Sequence, residues 1–171
     1  MGPGLAIKAL AGRRFSIIAF GIAQIAMDIE PLVGLIRGSQ VLHGPTHNYL
    51  AALAITVVVA FLSPTIGRPI LRRWNHELSF YRLAWLVETD SFAPVPVLAG
   101  ASAGTLSHVI LDSIMHFDVS PHAPWSSANI LLGLISTDTL NQFCVLAGLL
   151  GVVGWVFRAR REQRQGQHRE G

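Results

Sequence analysis

Charge is scarce in this chain. Only 13% of its 171 residues are Asp, Glu, Lys or Arg, against roughly 25% in soluble domains. So few charges cannot clothe an ordinary water-exposed surface. Cysteine is nearly absent: Cys144 stands alone, inside an apolar run. That excludes an internal disulfide, a Cys-x-x-Cys redox motif and a thiolate metal site, and leaves Cys144 as a small buried or lipid-facing residue. Internal repeats are missing too. Ser107 and Ser113 lack the strand-turn-helix elbow that an activated serine nucleophile needs.

What is present is hydrophobic. Apolar residues make up 51% of the chain and the mean hydropathy is +0.46. Several apolar runs approach the 20 or so residues that cross a bilayer as a helix. The expectation is an all-α membrane protein with about four transmembrane helices plus one interfacial amphipathic helix. It forms a single domain over 1–157, followed by a charged, disordered cytoplasmic tail over 158–171. The first span runs from 15 to about 30 and ends or kinks near Pro31; no small-residue cleavage site follows, as one would after a signal peptide. The second runs from 49 to about 66 and is ended by Ser63-Pro64 and Gly67. Between 68 and 96, Leu71, Trp74, Leu78, Tyr81 and Trp85 recur at spacings of three and four, the pattern of a helix lying at the headgroup level. The third span covers 97–116, where small residues from Gly100 to Gly104 suit close helix packing in lipid. The fourth lies within 130–157, with Asp138 near its start.

Four spans sort the charges. Of the 13 basic residues, every one but Arg37 falls on the side that holds the N-terminus, the 67–96 segment and the C-terminal tail. Positive residues collect on the cytoplasmic side, so both termini are expected in the cytoplasm, in the cytoplasmic (inner) membrane. The net basic balance flanks apolar segments instead of forming a patch, so the expected partners are membrane lipids and not nucleic acid.

The histidines fall on the opposite side. Ser107-His108-Val109-Ile110-Leu111-Asp112-Ser113-Ile114-Met115-His116 places His108, Asp112 and His116 four apart, on one face of an apolar helix. Ionisable groups in apolar surroundings are costly unless paired or bound to a metal. Asp28, Glu30, His43, His47, Asp118, His122 and Asp138 map to that same outer end, whereas His76, beside Glu77, reads as a solvated face and His168 has no visible partner. Asp28 and Glu30 are two apart and point in different directions on an ideal helix, so both serve one site only if the helix ends there. His43-Gly44-Pro45-Thr46-His47 reads as a turn entering a helix. Imidazole and carboxylate together suit Zn²⁺, Mn²⁺ or Fe²⁺. A catalytic metal keeps a position open for water and acidifies it, and a carboxylate can act as ligand or general base. Trp74, Trp85 and Trp125 read as interfacial anchors.

These residues carry a family resemblance. Met27-Asp28-Ile29-Glu30-Pro31 resembles a Pro-Asp-hydrophobic-Asp motif, His43-Gly44-Pro45-Thr46-His47-Asn48 resembles His-Arg-Gly-x-Thr-His-Ser, and Ser107-His108 through Leu111-Asp112 resembles Ser-His-hydrophobic-Leu-Asp. In that order, on four spans, they are similar to the YdjM-like family of predicted membrane-bound metal-dependent hydrolases. The resemblance covers roughly 28–125 and extends to Asp138. It implies an inner-membrane location, a divalent metal and hydrolysis of a phosphoester or lipid-like molecule. The departures are Met27 for the motif's Pro, Glu30 for its second Asp, the absence of an Arg after His43, and Asn48 for its Ser.

The combined expectation is a membrane-bound metal-dependent hydrolase with its site at the extracytoplasmic end of the bundle. Its metal ligands are drawn from Asp28, His43, His47, His108, Asp112 and His116, with Glu30 as general base, Asp28 as a second catalytic carboxylate, and Asp138 and His122 behind them. Zn is the first choice of metal, with Mn or Fe next. The alternative is a non-enzymatic membrane protein: a small transporter or a metal-binding structural subunit. The inner halves of the spans are apolar and offer no polar path through the bilayer.

Overall fold

A computed structural model of the chain describes residues 1–88 and 92–170, without the side chains of 164 and 166–170. Asp90 and the side chains of Arg164, His168 and Arg169 therefore lie outside the described residues. The described chain is helical: α1 (Gly2–Ala11), α2 (Ile17–Arg37), α3 (Tyr49–Phe80), α4 (Pro94–Met115) and α5 (Thr137–Glu170), with short 3-10 turns at Gly12–Arg14 and Ala84–Leu86. Four of these helices, α2 to α5, are long and apolar enough to cross a membrane.

The core is a three-helix bundle built in layers. Ala19 of α2 packs with Leu71 of α3 and Val97 of α4; Ala23 with Val59 and Ala101; Met27 with Ala52 and Val109. The α2 and α4 numbers rise together while the α3 numbers fall, so α3 runs antiparallel to the other two. On α2 the layer residues recur every four, the one-face spacing of a helix. Between the last two layers, the Thr56 and Thr105 hydroxyls lie 2.7 Å apart, so one donates to the other while the other donates to a backbone carbonyl of its own helix. Their polar atoms are thus satisfied inside an apolar bundle. Gly100 and Gly104 face α2 so closely that a Cβ at Gly104 would lie 2.7 Å from the Cβ of Ala23 and 2.9 Å from the carbonyl oxygen of Phe20. Small residues here let two backbones meet.

Two prolines expected to end helices, Pro31 and Pro64, do not, and a third lies within a helix as well. Pro31 lies inside α2, and Pro64 and Pro69 lie inside α3. Proline removes one backbone donor, but in apolar helices neighbouring helices and hydroxyl side chains hold the segment in place; the buried Ser63 hydroxyl donates to Val59 O at 2.7 Å. As a result, the helical pattern at 71–80 is the end of α3 and not a separate helix. Leu71 and Leu78 are buried there, with Trp74 exposed. Arg37 ends α2 with Gly38 in the left-handed conformation, φ 68°, where glycine is the usual C-terminal cap.

The N-terminal segment is helix α1, lying along α5. Gly148 and Gly151 take the backbone of α1 against that helix, and Gly154 takes the Cβ of Ala9. Lys8 is buried beneath it; its Nζ meets Glu88 Oε2 at 3.0 Å and Phe15 O at 3.3 Å, and Trp155 Nε1 donates to Glu88 Oε1 at 3.1 Å. The backbone of α5 continues to Glu170.

Candidate metal centre

One step outward from the Met27, Ala52 and Val109 layer, the bundle turns from apolar to ionisable. Met27 faces the core at full burial. At about 100° per residue, Asp28 lies about 100° to one side of it and Glu30 about 60° to the other. The helix does not have to end for both to reach the site, because each flanks the buried face. Asp28 Oδ1 lies 3.4 Å from His108 Nε2, and Glu30 Oε2 lies 3.2 Å from His47 Nδ1.

His43 and His47 come from the 38–48 connection, ahead of α3. Asn48 caps α3: its Oδ1 accepts from Ala51 N at 2.9 Å, while its Nδ2 donates to Pro45 O at 2.7 Å. Asn is as good an N-cap as Ser, so the helix start is held. The pair His43 and His47 thus sits on a turn stapled to the helix start. His108 and Asp112 come from α4, one turn apart, and Asp118 from the loop after it.

The convergence is on one atom. Asp112 Oδ2 lies 3.1 Å from His108 Nε2, 3.4 Å from His47 Nε2 and 3.8 Å from His43 Nε2. All four residues are buried. Ligand atoms of His43, His47 and Asp112 fall within 4.8 Å of one another, spacing that suits a metal ion. His47 Nε2 is buried and makes no hydrogen bond. An orphaned nitrogen of this kind is uncommon, and a cation between it and Asp112 satisfies both.

Behind each ring stands a second group. His43 Nδ1 meets Asp118 Oδ1 at 2.9 Å, His47 Nδ1 meets Glu30 Oε2 at 3.2 Å, and His108 Nδ1 meets Gln24 Oε1 at 3.4 Å. An acceptor on Nδ1 fixes the proton there and leaves Nε2 as the electron-pair donor, the outer arrangement of metal-binding histidines. The acceptors are themselves held. Asp118 Oδ2 takes the backbone N–H groups of Leu42 and His43 at 2.9 and 3.1 Å. Glu30 Oε2 accepts from the backbone N–H and the hydroxyl of Thr46. Gln24 Nε2 donates to Gly104 O at 2.7 Å.

Two of these groups lie outside the spans and carry shifted proton affinities. Burial would raise Asp118, but the backbone N–H groups of His43 and Leu42 and the His43 ring outweigh it and hold the carboxyl at about 2. Burial lowers His47 below its ordinary value, opposed by its bond to Glu30. Both shifts favour the forms a cation needs: an ionised carboxylate and a neutral imidazole.

The structure brings Asp28, Glu30, His43, His47, His108 and Asp112 together. His116 stacks on the His43 ring at 4.3 Å between centroids, and its ligand atom lies within 4.8 Å of those of His43 and Asp118. His122 sits outside the cluster, edge-on to Tyr49 at 5.3 Å. Asp138 is exposed in the first turn of α5. Gln24 was missed, although its signal was available: it lies four residues before Asp28, on the same helix face. Thr46, inside the second motif, also went unassigned. No protein-family model, curated protein or solved structure matches this chain. The YdjM-like resemblance therefore rests on its three short motifs.

Proposed function

We propose that this chain is a membrane-bound metal-dependent hydrolase of YdjM-like type. The observation that carries the reading is the buried, orphaned His47 Nε2 beside Asp112 Oδ2. His43, His47 and His108 would hold a divalent ion through Nε2 and Asp112 through Oδ2. Three imidazoles and a carboxylate suit zinc first and manganese or iron next. Such an ion, when bound, supplies Lewis acidity and acidifies a water. Glu30, Asp118 and Gln24 act as positioning residues that set the tautomer and angle of each ring. Asp28, its side chain 66% exposed and 3.4 Å from His108 Nε2, is the carboxylate on the open side, placed to take a proton from water there. The hydrolase half of the reading comes from the motif resemblance. The basic residues at the opposite end of the bundle support a cytoplasmic-membrane protein with both termini in the cytoplasm.

The test is metal content by mass spectrometry on detergent-purified protein, wild type beside His47→Ala and His108→Ala. Near-stoichiometric zinc, manganese or iron that disappears in both variants, with helical content kept by circular dichroism, supports the centre. Wild type that holds no metal even after reconstitution overturns it and leaves a polar seam between helices. Metal-loaded protein that releases neither phosphate nor fatty acid from any phosphoester or lipid-ester substrate would sink the hydrolase half and favour a metal-binding structural subunit.

A further inference from the structure

The ring nitrogens of the cluster are shielded, and its most exposed member is Asp28. His47 is fully buried, and the side chains of His43, His108 and Asp112 are 8%, 8% and 12% exposed, whereas Asp28 is 66% exposed. Glu30, beside His47, is 24% exposed, so Asp28 is the cluster's most open carboxylate. The surface around Asp28 decides what can reach it. Ile25, Leu32 and Leu35 lie three before, four after and seven after it, on its own helix face. They are 68%, 55% and 67% exposed. Leu35 stands about 10 Å further toward the outer end than Asp28, from a rise of 1.5 Å per residue. Apolar side chains are thus bare on the inner and the outer side of this carboxylate. Beyond the end of α4, Phe117, Ile130 and Leu134 are exposed as well. A water-facing mouth would not be framed by apolar side chains on both sides; a lipid-facing one would. A largely exposed aspartate at such a place is costly even with His108 3.4 Å away, so its position needs a use.

We infer that the centre opens sideways into the bilayer at Asp28, and that its substrate is an amphiphile: a lipid ester or phosphoester whose scissile bond sits directly beside a hydrocarbon chain. The chain lies along Ile25, Leu32 and Leu35, and the polar linkage reaches the Asp28–His108 edge. In the hydrolysis of such a bond, the oxygen of water joins the acyl carbon or phosphorus. The ester oxygen departs with its electron pair and takes up one proton. Asp28 stands where the proton of the water leaves. A fully water-soluble ester has no apolar part to match this entrance. This inference rests on the metal-centre reading for its chemistry, but the opening itself does not depend on a metal.

Two measurements on the full chain test it. The first places nitroxide labels singly at positions 25, 32 and 35 in a Cys144→Ala background, in lipid nanodiscs. Collision with oxygen, which concentrates in lipid, is expected to exceed collision with a nickel chelate, which stays in water, at all three positions. Ready access by the nickel chelate at 32 and 35 would show an aqueous mouth and overturn the inference. The second uses protein whose metal content has been measured, with alkyl hydroxamates as probes that share a chelating head. Leu32→Trp, which crowds the entrance, is expected to weaken dodecanohydroxamate at least tenfold and leave acetohydroxamate unchanged. Equal effects on both probes, or none on either, would refute lateral entry by an amphiphile. A preparation without metal fails the function reading instead, and is recognised from its metal content before the probes are compared.

Discussion

His47 Nε2 and Asp112 Oδ2 lie 3.4 Å apart with no hydrogen bond at the nitrogen. In the same ring, Nδ1 is engaged with Glu30 at 3.2 Å. The proton is thereby assigned to Nδ1, and a bare lone pair is aimed at a carboxylate. Two electron-rich atoms in contact repel one another unless something positive joins them.

Glu30 and Asp118 distinguish a positioning role from a catalytic one. Glu30→Gln and Asp118→Asn keep the shape of each side chain and remove its charge. Both are expected to weaken metal binding about 10–100-fold, the usual loss when an outer acceptor of a metal-binding histidine is changed. Competition against a chelator of known affinity reads the effect. Should Glu30→Gln keep full metal affinity and lose turnover, Glu30 is the general base expected from the sequence, and the positioning role assigned to it here is wrong.

Acidification should destabilise the metal-free protein in two stages. The folded His47 binds its proton below the ordinary value of 6.5, so the unfolded chain takes up a proton first as pH falls. Stability contributed by the neutral ring is complete above about 6.5 and declines below it. Asp118 titrates at about 2 when folded against 3.8 ordinarily, so its contribution is complete above 3.8 and is lost between 3.8 and about 2. Thermal unfolding in the presence of EDTA is expected to show the melting temperature falling from pH 7.5 to 5 and again below pH 4. His47→Gln should flatten the first decline. A wild-type profile that stays level from pH 7.5 to 5 would contradict the burial argument.

Gly104 couples the packing of α2 on α4 to the centre above it. A methyl group there meets Ala23 Cβ at 2.7 Å and Phe20 O at 2.9 Å, so the two helices must part. Gly104→Ala is expected to cost about 1–3 kcal/mol, as for other overpacked sites. It should also reduce metal affinity, because Gln24 holds both Gly104 O and the ring of His108. Gly21→Ala is the control: its methyl meets the flexible end of Met1 at 3.2 Å and should leave both readings close to wild type. Equal behaviour of the two variants in melting temperature and metal content would break the link between packing and site.

Much of this was legible in the sequence, and the reason is contrast. In a chain with so little charge, each ionisable residue inside an apolar run stands out. Helical periodicity then places His108 over Asp112, and the lopsided basic residues place both at the end opposite the positive side. The four apolar helices follow from run length, because a bilayer demands a minimum. By itself, then, the sequence determined the class, the number of apolar spans and most of the residues at the candidate centre.

Direction was left to the tertiary structure. Pro31, Pro64 and Pro69 each remove a single backbone donor yet lie inside helices, and those helices pack against partners distant in sequence. Which side of α2 faces the core is set by Ala19, Ala23 and Met27 packing on α3 and α4. That rotation sends Glu30 behind His47 and leaves Asp28 in the open. Asp118 and Gln24 gained their places in the same way: each lies more than 70 residues from the histidine it orients, and no local pattern spans such a distance. Composition and period are properties of a segment, whereas the aim of a side chain is a property of what its segment packs against.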